Sequence, residues 1–369
     1  MRIERIELRL IRMELVRPFE TSRHRETHRT VLLTRLLGDG LSAWGECVAG
    51  TGPWYSAETI GTAWHCLTQF LAPRLLAKPL AHPSEISPRF APVRGHPMAK
   101  ACLEMPAWVL HAQARGQSLA QALEGTQTRI ESGISLGIEP TLDDLLRVVD
   151  ESIAARYRRI KLKIKRGWDI EMVRAVRQRH PQVKLTVDAN GDYSPGDADH
   201  LAALDEFGLL YIEQPYPPDC LLPHAQLQKR LKAPICLDES ITSAQTAADA
   251  LDLGACRVVN IKPGRVGGLE ASRHIHDLAQ ARGVPVWCGG MLETGIGRAC
   301  NVALASLPNF RLPHDISASA RYWAQDLVAP AFTLDADGMI VVPTAPGLGV
   351  AVDVERIEGM TERAETLTA

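Results

Sequence analysis

A chain of 369 residues, 46% of them hydrophobic, is long enough to bury one large core and to carry a smaller attached domain. A formal net charge of −2 supplies no basic field for nucleic acid or an anionic membrane surface, and no apolar run reaches membrane-spanning length. Cysteines at 47, 66, 102, 220, 236, 256, 288 and 300 show no metal-type spacing, and the N-terminus has no signal-peptide core; reduced thiols and a cytoplasmic address are expected.

Residues 3–10 and 30–37 alternate apolar and polar side chains as strands do, and Gly38-Asp39-Gly40 marks a hairpin turn into a third strand ending near Gly45. Helical patterns follow at 56–75, with Ser56 and Glu58 suited to the start, and at 98–114, where Pro106 demands a kink or a shifted boundary. Residues 1–125 therefore read as an α+β domain. From residue 132 short β-rich runs recur at 133–138, 159–164, 184–190, 209–215, 234–240, 257–263, 285–290 and 310–315, with helical patterns such as 142–155, 170–179 and 267–282 between them. Eight strand–helix units with a period of about 25 residues indicate a (β/α)₈ barrel, placed at 126–320; a doubly wound sheet would not require units of such even length. The last helix is replaced by an irregular tail, 321–369, in which 332–342 is expected to add strands back to the N-terminal domain. The expected fold class is α/β, a modified TIM-type barrel with an N-terminal α+β domain.

One charged residue stands near the C-terminal end of each of five successive barrel strands: Lys163, Asp188, Glu213, Asp238 and Lys262, at steps of 25, 25, 25 and 24 residues. Each step is one repeat, so the five are expected at one height. In the run 159–164 the apolar Ile160, Leu162 and Ile164 share one face, so Lys161 and Lys163 point into the barrel. Asp188 behind Thr186, Glu213 behind Tyr211, Asp238 behind Cys236 and Lys262 behind Asn260 follow the same alternation. Three neighbouring carboxylates repel one another unless a cation lies between them, and an all-oxygen set suits Mg²⁺, with Mn²⁺ or another divalent ion also accommodated. A plain interior salt-bridge network accounts for any one of these residues, but poorly for all five on the functional face of a barrel. Lys163 and Lys262 lie four strands apart in a ring of eight, hence opposite each other. A carboxylate bound at the metal would present its α-carbon between two amines, one of which can act as a base if nearby positive charge lowers its pKa.

The chain resembles the enolase superfamily in its muconate-lactonizing subgroup, and within it the o-succinylbenzoate synthase/N-acylamino acid racemase family. The motifs that carry the resemblance are Trp44-Gly45-Glu46-Cys47, Lys161-Leu162-Lys163-Ile164-Lys165, Val187-Asp188-Ala189-Asn190, Ile212-Glu213-Gln214-Pro215, residues 234–240, Asn260-Ile261-Lys262-Pro263-Gly264-Arg265 and residues 287–295. A Lys or His base with bound Mg²⁺ is the known pattern of that superfamily. The resemblance implies Asp188, Glu213 and Asp238 as metal ligands, Lys163 and Lys262 as acid/base lysines, and Lys161 as the residue that tunes or positions Lys163. It implies Ser135, Asn190, Phe19, Arg265 and Leu292 around the substrate, Glu239 just outside the ligands, and an N-terminal domain that caps the barrel with loops near 18–20 and 50–55. Phe19 also reads as ordinary core and Arg265 as a solvated loop arginine.

Two reactions fit the implied apparatus. One dehydrates 2-succinyl-6-hydroxy-2,4-cyclohexadiene-1-carboxylate to o-succinylbenzoate on the menaquinone pathway; the other racemises an N-acyl (N-succinyl) amino acid. Arg265 tilts the reading toward both. A dipeptide epimerase is the alternative within the superfamily, and a catalytically idle barrel serving as a binding protein is the alternative outside it. Gly50, Gly191-Asp192 and Tyr322-Trp323 depart from the family pattern and leave the preferred side chain open. A His–Asp dyad is not expected: His314 and Asp315 are adjacent and so point to opposite faces. Neither glycine-rich stretch, 264–268 or 290–297, fits a nucleotide fingerprint. The expected partner is a small carboxylate substrate, without nucleic acid or membrane, in a homo-oligomer.

Overall fold

The computed structural model describes residues 1–22 and 24–369. Strands β1 (Arg5–Glu20), β2 (Arg25–Gly38) and β3 (Leu41–Cys47) form an antiparallel meander. The β2–β3 turn is the expected one: Asp39 and Gly40 both take positive φ, 50° and 75°, as a two-residue hairpin connection demands. β1 and β2 run well past their apolar cores. Their register shifts between Glu14 and Phe19, and the far end of the hairpin reaches the barrel, where Ile138 N–H donates to Glu20 O at 3.0 Å.

The helix Pro97–Ala114 passes straight through Pro106. Proline has no N–H, so the carbonyl four residues back, Cys102 O, loses its helical donor; it accepts Thr34 Oγ1 from β2 instead, at 2.5 Å. Gly45 makes room for the ring, since a Cβ there would lie 2.7 Å from Pro106 Cγ. The helix expected at 56–75 starts later, at Ile60, behind a Thr59/Thr62 capping box, and runs through a π-helical turn at Leu67–Leu71 before Ala72–Leu76. Glu58 serves another helix: its carboxylate accepts from Met98 N and Ala99 N, both at 2.8 Å, at the start of Pro97–Ala114.

After β4 (Arg129–Glu131), the strands β5 (Gly133–Leu136), β6 (Arg159–Lys163), β7 (Leu185–Asp188), β8 (Ile212–Glu213), β9 (Ile235–Leu237), β10 (Val258–Ile261) and β11 (Val286–Cys288) form one parallel sheet in sequential order. The eighth run, 310–315, is not a strand. It closes the curl through single bridges, Val286 to Phe310 and Ser132 to His314, because Pro313 interrupts the run with a residue that has no ladder donor. Ile160, Leu162 and Ile164 are buried on the outer side, while Tyr211 and Trp287 stack inside at 5.6 Å and form the barrel floor with Cys236.

The tail corrects a second expectation. Within 332–342, β13 (Met339–Val341) pairs with β4; nearby β12 (Val328–Ala329) pairs with β14 (Ala351–Val352). The strand that returns to the N-terminal sheet is β15 (Thr361–Thr368), antiparallel to β1 from Arg5↔Thr368 to Ile11↔Thr361. Its sequence, Thr-Glu-Arg-Ala-Glu-Thr-Leu-Thr, has almost no apolar stripe to betray it. No helix of the described residues is long and apolar enough to cross a membrane.

Two buried carboxylates from the N-terminal residues cap barrel helices. Glu104 accepts from Leu269 N (2.8 Å), Glu270 N (2.9 Å) and Trp108 Nε1 (2.9 Å). Glu46 accepts from Thr294 N, Thr294 Oγ1 and Gly297 N at 2.7–3.1 Å. Each satisfies orphan N–H groups at a positive helix end. Burial pushes both carboxyls up to about 7 against those hydrogen bonds.

Gly268→Ala tests the first of these joints. Gly268 has φ +128°, and a Cβ would lie 2.3 Å from Glu104 Oε2. Backbone strain and overpacking together predict a loss of about 2–4 kcal/mol in denaturant unfolding. A second expectation concerns acid. His224 Nε2 accepts from Tyr216 N at 3.1 Å while Nδ1 faces Cys220 O at 2.7 Å, and burial pulls its pKa down to about 4. With the folded value below the unfolded one, its contribution is complete above pH 6.5 and is lost as pH falls through about 4. Relative to His224→Gln, the unaltered chain should lose about 3 kcal/mol more between roughly pH 7 and 4.

Candidate active site

Lys163, Asp188 and Glu213 are direct register partners across β6, β7 and β8. Beyond them the stagger of a curled sheet intervenes: Glu213 pairs with Cys236, so Asp238 lies two residues further along. All five ring residues are buried, Glu213 and Asp238 completely. Each carboxylate is tied to a cation. Lys163 Nζ lies 2.6 Å from Asp188 Oδ2 and donates to Asn190 Oδ1 at 2.7 Å. Lys161 Nζ sits 2.8 Å from Glu213 Oε2 and 3.2 Å from Asp188 Oδ2. Lys262 Nζ is 2.8 Å from Asp238 Oδ2, and Asn260 Nδ2 holds the second Glu213 oxygen at 2.8 Å.

The electrostatics follow from this crowding. Burial works to raise the Asp188 pKa, but the ammoniums of Lys163 and Lys161 outweigh it and hold the carboxyl far below the usual range. Burial and the charge of Asp188 push Glu213 up, and the same two causes raise Glu239. Burial alone would lower Lys262; Tyr55 and Glu239 raise it instead.

Above this layer lies a cavity of about 490 Å³. Lys161, Lys163, Lys262, Ser135, Asn190 and Glu239 face it from the barrel; Phe19 and Tyr55 face it from the N-terminal strands and loop, and Leu292 from the loop after β11. Asp188, Glu213 and Asp238 lie beneath its wall. Phe19 is a half-buried wall residue set edge-on to Tyr322, with ring centroids 6.4 Å apart, and not a core residue. Tyr55 reaches down to Asp238 Oδ1 at 3.1 Å, and Lys262 Nζ lies 4.5 Å from its ring centroid.

Arg265 is no solvated loop residue. It is 3% exposed, lies outside the cavity wall, and packs under Asp238 with Nη1 on Oδ1, Nε on Ile241 O (2.7 Å) and Nη2 on Asn260 O (2.5 Å). His314 and Asp315 do point apart: His314 Nδ1 accepts from Cys288 N at 3.0 Å, while Asp315 turns into the barrel. Asp315, Arg159 and Tyr55 are members of the constellation that the five-residue ring did not include. The one available signal for Asp315 was its inward parity at the end of the eighth run.

Among the described residues, no three carboxylate, histidine or cysteine side chains converge to hold an ion as they stand; the oxygens of Asp188, Glu213 and Asp238 face lysines and Arg265. The donor chemistry nevertheless fits a hard divalent cation. Three buried carboxylates lie on adjacent strands, and Glu239 Oε2 and Asn260 Oδ1 beside them are buried without a hydrogen-bond partner.

Residues 144–357 match the family model for the enolase C-terminal domain-like fold, and residues 5–124 match the N-terminal domain of mandelate racemase and muconate lactonizing enzyme. The chain belongs to the enolase superfamily. It is 52% identical to an o-succinylbenzoate synthase of Geobacillus kaustophilus over 98% of this chain and 97% of that one. It is 48% identical to an N-succinylamino acid racemase of Thermus thermophilus over 98% of each. Among solved structures, an enolase-superfamily member from Listeria innocua superposes with a TM-score of 0.96 at 37% identity, covering 100% of this chain and 99% of that one. Enzymes of this superfamily depend on a divalent metal ion, and these relatives act on small carboxylates.

Gly289 offers a probe of the site that spares every charged group. A Cβ there would lie 2.3 Å from Asn260 Oδ1 and 2.7 Å from Lys262 Cε. Gly289→Ala should keep its far-ultraviolet circular dichroism and lose about 100-fold or more in turnover, because a displacement near 1 Å costs that much.

Proposed function

We propose that the chain is a Mg²⁺-dependent enzyme that removes the proton α to a carboxylate, with o-succinylbenzoate synthase and N-succinylamino acid racemase activity in one site. The observation that carries this reading is the pair Lys163 and Lys262. They stand on strands four apart, both reach one cavity, and each is tethered to a different member of the carboxylate trio. Relatives with each of the two names match the whole chain at about equal identity, which supports a shared apparatus.

Asp188, Glu213 and Asp238 would hold the ion. When bound, it would act as a Lewis acid toward the substrate carboxylate. The remaining work falls to side chains. Lys163 takes the α-proton as general base, and Lys161, two residues before it on the same strand, shares its Asp188 partner and helps to position it. In dehydration, Lys262 stays cationic opposite the developing negative charge, and the neighbouring ring hydroxyl leaves as water with the proton that Lys163 has taken, to give the aromatic product. In racemisation, Lys262 returns a proton to the opposite face. Ser135 Oγ, buried without a partner on the cavity wall, is free to orient the carboxylate. Phe19 and Leu292 would bound the part of the substrate away from the lysines. Glu239 would hold Asn190, which donates to it at 2.9 Å and in turn steadies Lys163. Arg265 acts from below through Asp238, without touching substrate. Eight cysteines without a disulfide support a reducing compartment such as the cytoplasm.

The test is exchange of the α-proton of N-succinyl amino acids in D₂O, followed by NMR, alongside ultraviolet detection of the aromatised product. Chelation by EDTA should stop both activities and added Mg²⁺ restore them. Lys163→Ala and Lys262→Ala should each lower racemisation and dehydration by about 10³-fold or more. In exchange alone, each variant should spare the enantiomer served by the other lysine. Dehydration that survives Lys163→Ala, or exchange without metal, would refute the assignment.

A further inference from the structure

Lys161 meets three carboxylates, and its shortest contact is not to either proposed ligand. Its Nζ lies 2.6 Å from Asp315 Oδ2, against 2.8 Å for Glu213 Oε2 and 3.2 Å for Asp188 Oδ2. The other Asp315 oxygen accepts from Arg159 Nη2 at 2.7 Å. Arg159 is fully buried and also donates to Pro313 O at 3.1 Å, so it ties Asp315 to the backbone that closes the barrel. Both cations lie over the ring of Trp287, with Arg159 Cζ 5.1 Å and Lys161 Nζ 4.9 Å from its centroid. The backbone leaves no slack either: a Cβ at Gly290 would fall 2.4 Å from Asp315 O. Arg159 and Lys161 thus share one dedicated carboxylate, held rigidly at the cavity floor.

From this we infer that Asp315, clamped by Arg159, is a positioning residue that neutralises Lys161 and anchors it toward the eighth segment, leaving Asp188 and Glu213 able to bind a cation. The inference rests on the metal site proposed above and deepens it. Without Asp315, the Lys161 ammonium has only Asp188 and Glu213 to pair with. It then competes with the divalent ion for their oxygens and repels it as an uncompensated charge. The mechanism as derived from the five ring residues has no use for Asp315; the charge of Lys161 requires it.

A double-mutant cycle on metal affinity tests this, with Mn²⁺ as the probe and the EPR signal of the free ion as the readout, in the absence of substrate. Asp315→Asn is nearly isosteric. Its carboxamide oxygen can still accept from Arg159, while its NH₂ meets Lys161 donor to donor, so the contact to Lys161 is the one removed. Mn²⁺ binding should weaken about tenfold or more when Lys161 is present, and less than about twofold in a Lys161→Met background. Equal weakening in both backgrounds, or none in the first, would overturn the inference. Failure of the unaltered chain to bind Mn²⁺, or binding untouched by Glu213→Gln, would overturn the metal site itself and the inference with it. If Asp315→Asn does not fold, Asp315→Glu replaces it in the cycle. The same contrast between backgrounds is then expected at smaller size, and its absence is equally decisive against the role.

Discussion

The structure turns on a balance of charge in the barrel mouth. Asp188, Glu213 and Asp238 are buried together with Lys161, Lys163, Lys262, Arg159 and Arg265, and the partly buried Asp315 borders them. A single unpaired ion there would cost several kcal/mol, so each side chain's position is dictated by its partners. Lys161 touches three carboxylates, Asp238 takes both Lys262 and Arg265, and Asp188 takes both Lys161 and Lys163. Such a network holds strongly basic and acidic groups a few ångströms apart without letting them relax, which is the preorganisation that proton transfer at a carbon acid needs.

That layer is useful only under a roof, and the roof is attached by the same physics. Glu46 and Glu104 are buried carboxylates whose partners are the free N–H groups of barrel helices. Tyr55, from the loop after β3, reaches Asp238 itself. β15 returns the end of the chain to the edge of β1, and the long β1–β2 hairpin carries Phe19 to the cavity wall. The roof is therefore tied both to the scaffold and to the reacting layer.

Several features resisted reading from the sequence, each for a physical reason. β15 gains its strand character from an exposed sheet edge, so it needs no apolar stripe. The eighth barrel segment has the right position but an interrupted set of donors, because Pro313 breaks its ladder. Glu58 looked like a helix start and is one, but for a helix 40 residues on. Arg265 sits in a short glycine-flanked turn whose composition suggests solvent, and only the closing of the barrel places Asp238 over it.

What the sequence determined by itself is whatever obeys a local period. Alternation along 159–164 turned Lys161 and Lys163 inward, and repeats of 24 or 25 residues delivered the five ring residues to successive strands; the register partners Lys163, Asp188 and Glu213 answer to that rule. Tertiary structure alone decided which charges meet. Asp315 comes to Lys161 from 154 residues away, Tyr55 comes to Lys262 from 207 away, and Arg265 lies under Asp238. Contacts of that kind carry no period, since they are chosen by packing and by the need of each buried charge for a counter-charge.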